Sequence, residues 1–197
     1  MKLLGFETTD SVASVALNLD GEVFCTRLET KKRHAESVLP AAEALLAAHG
    51  LSTSDMDAFA VDVGPGSFTG VRIGVCLANA LGLAHQKPVI AVNALETLAF
   101  PLRDNGLPVC AMIDARNGNG YGALYQGTLA LRNPVACEIA SFCRDLPDQY
   151  IGTGTAFSDQ ALPCADAVVQ IAAERAGEKQ VSPLYLKLSQ AERMQQK

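Results

Sequence analysis

The chain has 197 residues, of which 49% are hydrophobic and 19% charged, with a net charge of −5 and a pI near 5.2. This composition excludes a disordered chain, and the acidic balance argues against tight, autonomous nucleic-acid binding. No apolar run approaches the ~18–20 residues of a membrane span, because the most apolar stretch, 73–84, is short and interrupted by Asn79.

A chain of this length fits one large or two small domains and buries roughly 70% of its unfolded surface. Met1–Phe6 is followed at once by Glu7 and Asp10, which suits a first strand better than a signal peptide. Lys2–Glu7 reads as that strand, Val12–Leu19 as a second, and Val23–Leu28 as a third after an Asp20-Gly21 hairpin turn. The only basic cluster, Lys31-Lys32-Arg33, reads as a solvated loop. A helix over His34–His49 follows, with Val38, Leu39, Ala42, Leu45 and Leu46 on one side, Gly50 as its stop, and Pro40 as a kink or the mark of its true first turn. Leu51–Asp57 is a polar connection and Ala58–Val63 a short apolar strand.

That strand breaks at Gly64-Pro65-Gly66, and Ser67 is placed to cap a helix running to residue 84. The helix is apolar almost all round, as for a helix with more than one neighbour. Gly70, Gly74, Ala78 and Gly82 recur every four residues, so one stripe has almost no side chains. Each helical glycine costs ~1 kcal/mol relative to alanine, so the stripe implies close approach of another backbone. That backbone belongs either to the chain's own sheet or to a partner. Pro88–Val92 reads as a strand and Leu95–Phe100 as a short helix, giving the order β-β-β-α-β-α-β-α of an α/β layer.

The second half starts near Asn105-Gly106. Val109–Asp114 reads as a strand, Arg116–Gly120 as a turn, and Tyr121–Gln126 as the returning strand. Val135–Ile139 and Tyr150–Ile151 are further strands, Gly152-Thr153-Gly154 a turn, Ala165–Ala176 a helix, Ser182–Leu186 an extended segment, and the stretch from Ser189 a polar frayed tail. Leu3–Thr9 and Cys110–Arg116 match as apolar strands ending in one carboxylate and a polar turn, a pattern of internal duplication.

Chemistry-bearing residues are sparse. The six cysteines (25, 76, 110, 137, 143, 164) form no CxxC pair and read as reduced and packed, as in the cytoplasm. The three histidines, 34, 49 and 85, lie at helix ends without metal-ligand spacing. Gly66-Ser67-Phe68-Thr69-Gly70 has its serine second, so it is no GxSxG elbow. Gly64-Pro65-Gly66 lacks the Gly-Lys-Ser/Thr of a phosphate loop.

Three stretches carry a family resemblance: Phe6-Glu7-Thr8-Thr9, His34-Ala35-Glu36, and above all Asp62-Val63-Gly64-Pro65-Gly66-Ser67-Phe68-Thr69-Gly70-Val71-Arg72-Ile73-Gly74. With the duplicated β-β-β-α-β-α unit, they resemble the actin/hexokinase/Hsp70 superfamily and, within it, the TsaB (YeaZ) family. Pro183-Leu184-Tyr185-Leu186-Lys187 is similar too, although arginine is more usual at the Lys187 position. The resemblance is dense over residues 3–100 and sparse over 105–180.

It implies a fold of two duplicated RNase H-like domains, 1–104 and a shortened 105–197. It also implies a non-catalytic scaffold subunit for making threonylcarbamoyladenosine in tRNA, paired with the catalytic sister TsaD and served by the ATPase TsaE. The sister family's HxxxH metal motif falls here on Val92–Leu98, with Ala94 and Leu98 where imidazoles would stand, so no metal site is expected.

The pairing surface is assigned to the two helices through His34, Ala35, Val38, Ala42, Leu45, Gly70, Val71, Arg72, Gly74, Val75, Ala78, Asn79 and Gly82. It serves a homodimer when the chain is alone and a heterodimer with TsaD, so tRNA is met only through the complex, with no membrane involved. Glu7, Thr8 and Thr9, facing Asp114-Ala115-Arg116, stand where actin-like enzymes hold a nucleotide. They mark a weak ATP or ADP site shared with a partner, with no cofactor intrinsic to the chain and no catalytic residue. The competing readings are a stand-alone ATP-dependent actin-like enzyme and a glycoprotease-like hydrolase.

Overall fold

The computed structural model describes residues 1–28 and 34–186. The Lys31-Lys32-Arg33 cluster, Lys187 and the polar tail from Ser189 lie outside them, as does the side chain of His34.

Strands β1 (Lys2–Glu7), β2 (Ala13–Leu19) and β3 (Glu22–Leu28) form an antiparallel meander. Helix α1 (His34–Ala48) then leads to β4 (Ala58–Asp62), and α2 (Phe68–His85) to β5 (Val89–Val92). Both β4 and β5 run parallel to β1, so the first sheet has the order β3-β2-β1-β4-β5.

The second sheet, β8-β7-β6-β9, repeats this plan without its fifth strand. Strands β6 (Val109–Asp114), β7 (Asn119–Gln126) and β8 (Leu129–Glu138) form the meander, and β9 (Ile151–Thr153) runs parallel to β6. The duplication read from the two carboxylate-ended strands therefore holds at the level of topology.

Helices α1 and α2 lie together on one face of the first sheet. Val38, Ala42 and Leu46 from α1 and Val71, Val75 and Ala78 from α2 join Leu4, Phe6, Val15, Leu17, Phe59 and Val61 in one core. Each buried valine or leucine contributes about 1.5–3 kcal/mol relative to exposure. Helix α1 runs through Pro40, which sits exposed inside it. Helix α2 is long and apolar enough by length and composition to pass as a membrane span, contrary to the sequence expectation. It nevertheless buries Gly70, Val71, Gly74, Val75, Ala78 and Gly82 within this fold.

The boundary read at residues 104/105 is not where the packing divides. Helix α3 (Ala94–Ala99), from the first half of the chain, covers the second sheet through Leu95 and Leu98. Helix α5 (Ala165–Ala172), from the second half, returns to cover the open face of the first sheet through Val168, Val169 and Ile171. The segment after it passes the β5 edge, where Glu178 bridges Val89, and joins the α1/α2 core: Asn79 brackets Val181 with two side-chain hydrogen bonds, and Leu184 N donates to Val63 O at 2.8 Å.

Element boundaries differ most in the second half. Strand β8 extends six residues upstream of the expected Val135, and Ile139, read as strand, opens helix α4 (Ile139–Arg144), which periodicity over six residues did not reveal. Gly152 and Thr153, read as a turn, belong to β9, and α5 stops four residues before Ala176.

Candidate functional site between the two sheets

Strands β1 and β4 are parallel neighbours, with Phe6 paired to Val61, and each ends in a carboxylate at the next residue. Glu7 and Asp62 therefore stand side by side, both 0% exposed. Glu7 Oε1 accepts from Thr9 N at 2.5 Å and Thr9 Oγ1 at 2.6 Å, whereas Oε2 is buried without a partner. Asp62 Oδ1 accepts from Gly64 N at 2.8 Å and Oδ2 from Thr97 Oγ1 at 3.4 Å.

Burial pushes the Glu7 carboxyl up to about 8, against the Thr9 hydrogen bonds that favour its charged form. Burial, then the charge of Glu7, holds Asp62 well above the ordinary carboxylate range. Two apolar strands each ending in a carboxylate, Phe6-Glu7 and Val61-Asp62, were the signal available in the sequence; the parallel register that joins them was not.

The glycine stripe of α2 seals this pair. A Cβ at Gly70 would overlap the carbonyl oxygen of Thr8, and one at Gly74 would come within 2.5 Å of Thr8 Oγ1. Thr8 Oγ1 donates to Gly70 O at 2.7 Å, and Ser67 N donates to Thr9 O at 2.7 Å. About two turns further on, a Cβ at Gly82 would meet Val89 Cγ2 at 2.5 Å. The close backbone that the stripe demands is thus the chain's own Thr8–Thr9 turn and the sheet beneath it. Assignment of Gly70, Val71, Gly74, Val75, Ala78 and Gly82 to a partner interface is corrected accordingly, and with it that of Val38 and Ala42, which are buried in the same core.

The remaining interface candidates divide. Leu45 is half-buried against the core, and Asn79 is engaged with Val181. Ala35 and Arg72 are exposed, and the side chain of His34 lies outside the described residues. Arg72 lies 3.8 Å over the Phe68 ring and donates from Nε to Tyr185 OH at 2.9 Å.

Between the sheets opens a cleft of about 740 Å³. On one side it is lined by Thr9, Asp10, Ser11 and the Ser67-capped start of α2, and on the other by Asp114, Arg116 and Tyr121. Of the three nucleotide candidates only Thr9 reaches it; Glu7 and Thr8, both 0% exposed, do not line it. Asp114 does, accepting from Arg116 N at 2.7 Å. Asp10, Ser11 and Tyr121 had no motif to flag them and are placed there by the fold alone.

The two histidines whose side chains are described lie apart, each against an aromatic ring. His49 Nδ1 is 2.9 Å from Leu45 O with its ring against Phe24, and the His85 ring lies beside Phe59. Ala94 and Leu98 are buried apolar residues of α3.

Two interlocked sheets of repeated topology, with an open cleft between their carboxylate-ended turns, define a duplicated actin-like α/β protein. Residues 28–154 match the family described as "TsaD: tRNA N6-adenosine threonylcarbamoyltransferase". The chain belongs to this family, on its TsaB branch.

It is 41% identical over 128 residues to the tRNA threonylcarbamoyladenosine biosynthesis protein TsaB of Escherichia coli (strain K12), a match covering 64% of this chain and 55% of that protein. It is 36% identical over 127 residues to the protein of the same name from Bacillus subtilis (strain 168), covering 64% and 56%. The match thus spans about half the length of these relatives. Among solved structures, a Pseudomonas aeruginosa protein described as similar to the peptidase YEAZ superposes with a TM-score of 0.84 at 28% identity, covering 94% of this chain and 99% of that one.

Proposed function

We propose that the chain is a non-catalytic subunit of tRNA threonylcarbamoyladenosine biosynthesis. It acts in the cytoplasm, pairs through α1 and α2 with a catalytic sister of the TsaD type, and gives the ATPase TsaE a platform. The names of its relatives support the pathway. The buried apolar Ala94 and Leu98, where the sister carries imidazoles, support the lack of a metal centre of its own.

The observation that carries the reading is the outer face of the helix pair. Ala44, Ala47 and Ala48 of α1 and Thr69, Cys76, Ala80, Leu83 and Ala84 of α2 are exposed, with Leu83 80% accessible. Two slim helix faces side by side, with charge confined to Glu36, Glu43 and Arg72, admit another helix pair at close range. This surface replaces the glycine stripe as the proposed interface, for the homodimer and the heterodimer alike.

Leu83→Asp and Ala80→Glu alter exposed positions, so both variants keep the wild-type melting temperature. Both are expected to weaken pairing at least tenfold by light scattering or sedimentation. Paired complexes of wild-type affinity would show that another surface is used. Purified alone, the chain is expected neither to hydrolyse ATP nor to modify tRNA, and modification appears when the sister and the ATPase are added. Modification or ATP turnover by the chain alone would overturn the scaffold reading.

A second reading, a nucleotide held weakly in the cleft and completed by a partner, rests on Thr9, Ser11 and Arg116 lining it from both sides. The sealed Glu7 and Thr8 do not fit an autonomous nucleotide site, because neither can reach a ligand in the cleft. Titration with ATP and magnesium is expected to show binding only in the presence of the sister subunit.

A further inference from the structure

Away from the cleft, Cys25, Cys164 and Asp166 bring their sulfur and carboxylate atoms within 4.8 Å of one another. Cys25 is exposed on the edge strand β3, and Cys164 is the buried N-cap residue of α5. The two are 139 residues apart, yet their Sγ atoms are 3.6 Å apart. Arg27, two residues after Cys25, shares its face of β3, the face that α5 covers.

We propose that Cys25 and Cys164 are a reactive thiol pair, oxidised by low-molecular-weight disulfides to an intramolecular disulfide that clasps α5 to the edge of the first sheet.

Geometry and charge support this together. The sulfurs are already in van der Waals contact at 3.6 Å, and a disulfide closes them to about 2.05 Å. The hydrogen bond between the two sulfurs lowers the Cys164 thiol to about 6 against the cost of burial, and the same bond, then burial, raises Cys25. Arg27 is held above its ordinary value, first by the charge of Cys164 and then by a hydrogen bond to it. The two sulfurs share one hydrogen bond, in which either can donate, beside the Arg27 guanidinium and at a helix N-terminus, where thiolates are stabilised. A divalent cation is the weaker occupant, because the Arg27 charge already faces the same sulfur and carboxylate.

The step balances with glutathione disulfide as oxidant. Cys25, reached from solvent, gives its proton to the Cys164 sulfur and attacks one sulfur of the small disulfide, releasing one glutathione thiolate. Cys164 then gives that proton to the released thiolate and attacks Cys25 Sγ, expelling the second thiolate. The protein dithiol loses two electrons, and the small disulfide is reduced to one thiol and one thiolate.

The test uses the whole chain in glutathione buffers of rising oxidised fraction, followed by alkylation in denaturant and peptide mapping by mass spectrometry. Alkylatable thiols are expected to fall from six to four, with the Cys25 and Cys164 peptides joined. The melting temperature is expected to rise by several degrees and to revert on reduction. Cys25→Ser, at an exposed site, is expected to stay at the reduced value in every buffer. Stable glutathione adducts without the crosslink, or a crosslink between other cysteines, would overturn the proposal. So would stoichiometric zinc binding by the reduced chain that shields both thiols from alkylation. The wild-type map reads the pairing whether or not a Cys164→Ser variant folds.

Discussion

The first strand of each sheet ends in the same local device, and the two copies have opposite fates. In the first sheet Glu7 accepts the N–H of Thr9, and in the second Asp114 accepts that of Arg116. Glu7 is sealed, whereas Asp114 is exposed at the cleft. The difference lies after the fourth strand of each half. Beyond β4 the chain turns at Gly64 and enters α2, whose glycines lie directly on Thr8. Beyond β9 it turns at Gly154, with a similar positive φ, and a loop follows in which Thr155 Oγ1 accepts from Asp114 N at 2.9 Å. A slim helix over the turn makes a buried carboxylate; a loop beside it leaves the carboxylate in water. Only the second half then contributes its carboxylate to the cleft.

The largest effect is expected from breaking the seal. Gly70→Ala drives a methyl group into the Thr8 carbonyl, and since backbone sits on both sides neither can yield without moving α2. A loss of about 3 kcal/mol or more in denaturant unfolding is expected. Gly118→Ala, in the matching turn of the second half, meets no atom within 4 Å and costs only the strain of its positive φ, about 1 kcal/mol.

Next comes the buried acid itself. The folded state holds Glu7 near 8 and the unfolded chain near 4.5, so between these values the unfolded state releases a proton that the folded state keeps. Stability contributed by the neutral form is complete below about 4.5 and is lost as pH rises through about 8; Asp62, also raised, acts in the same direction. The melting temperature is expected to fall from pH 5 to pH 8.5. Glu7→Gln, which keeps the acceptor oxygen for Thr9, should flatten much of that slope, a change on the order of a few kcal/mol at the alkaline end. An unchanged slope in Glu7→Gln would show that the sealed carboxylate is ionised throughout. Asp114→Asn, at the open copy, is the smallest change, within about 0.5 kcal/mol at neutral pH.

Most strands were legible in the sequence because their apolar residues are short, bounded by turn residues and separated by strong signals such as Asp20-Gly21. The first strand was read at its observed ends, Lys2 and Glu7. Helix α4 escaped because six residues carry too little periodicity. Within the site, the carboxylate-ended strands were visible, but their burial was not. The thirteen interface candidates show the same limit. They were taken from two helices, and eight of them face inward, since spacing says which residues share a face and not what covers it.

By itself the sequence determined the order of elements, the repeated strand–carboxylate–turn unit, the capped α2 and the need of its glycines for a close backbone. Those follow from local sterics and from the 3.6- and two-residue periods, which act within one element. The tertiary structure alone decided that this backbone is the Thr8–Thr9 turn and that α3 and α5 each cover the sheet of the other half. It also set Cys25 against Cys164 across 139 residues. Each of these depends on which apolar faces meet, and that choice is made by the packing of the whole core rather than by any stretch of it.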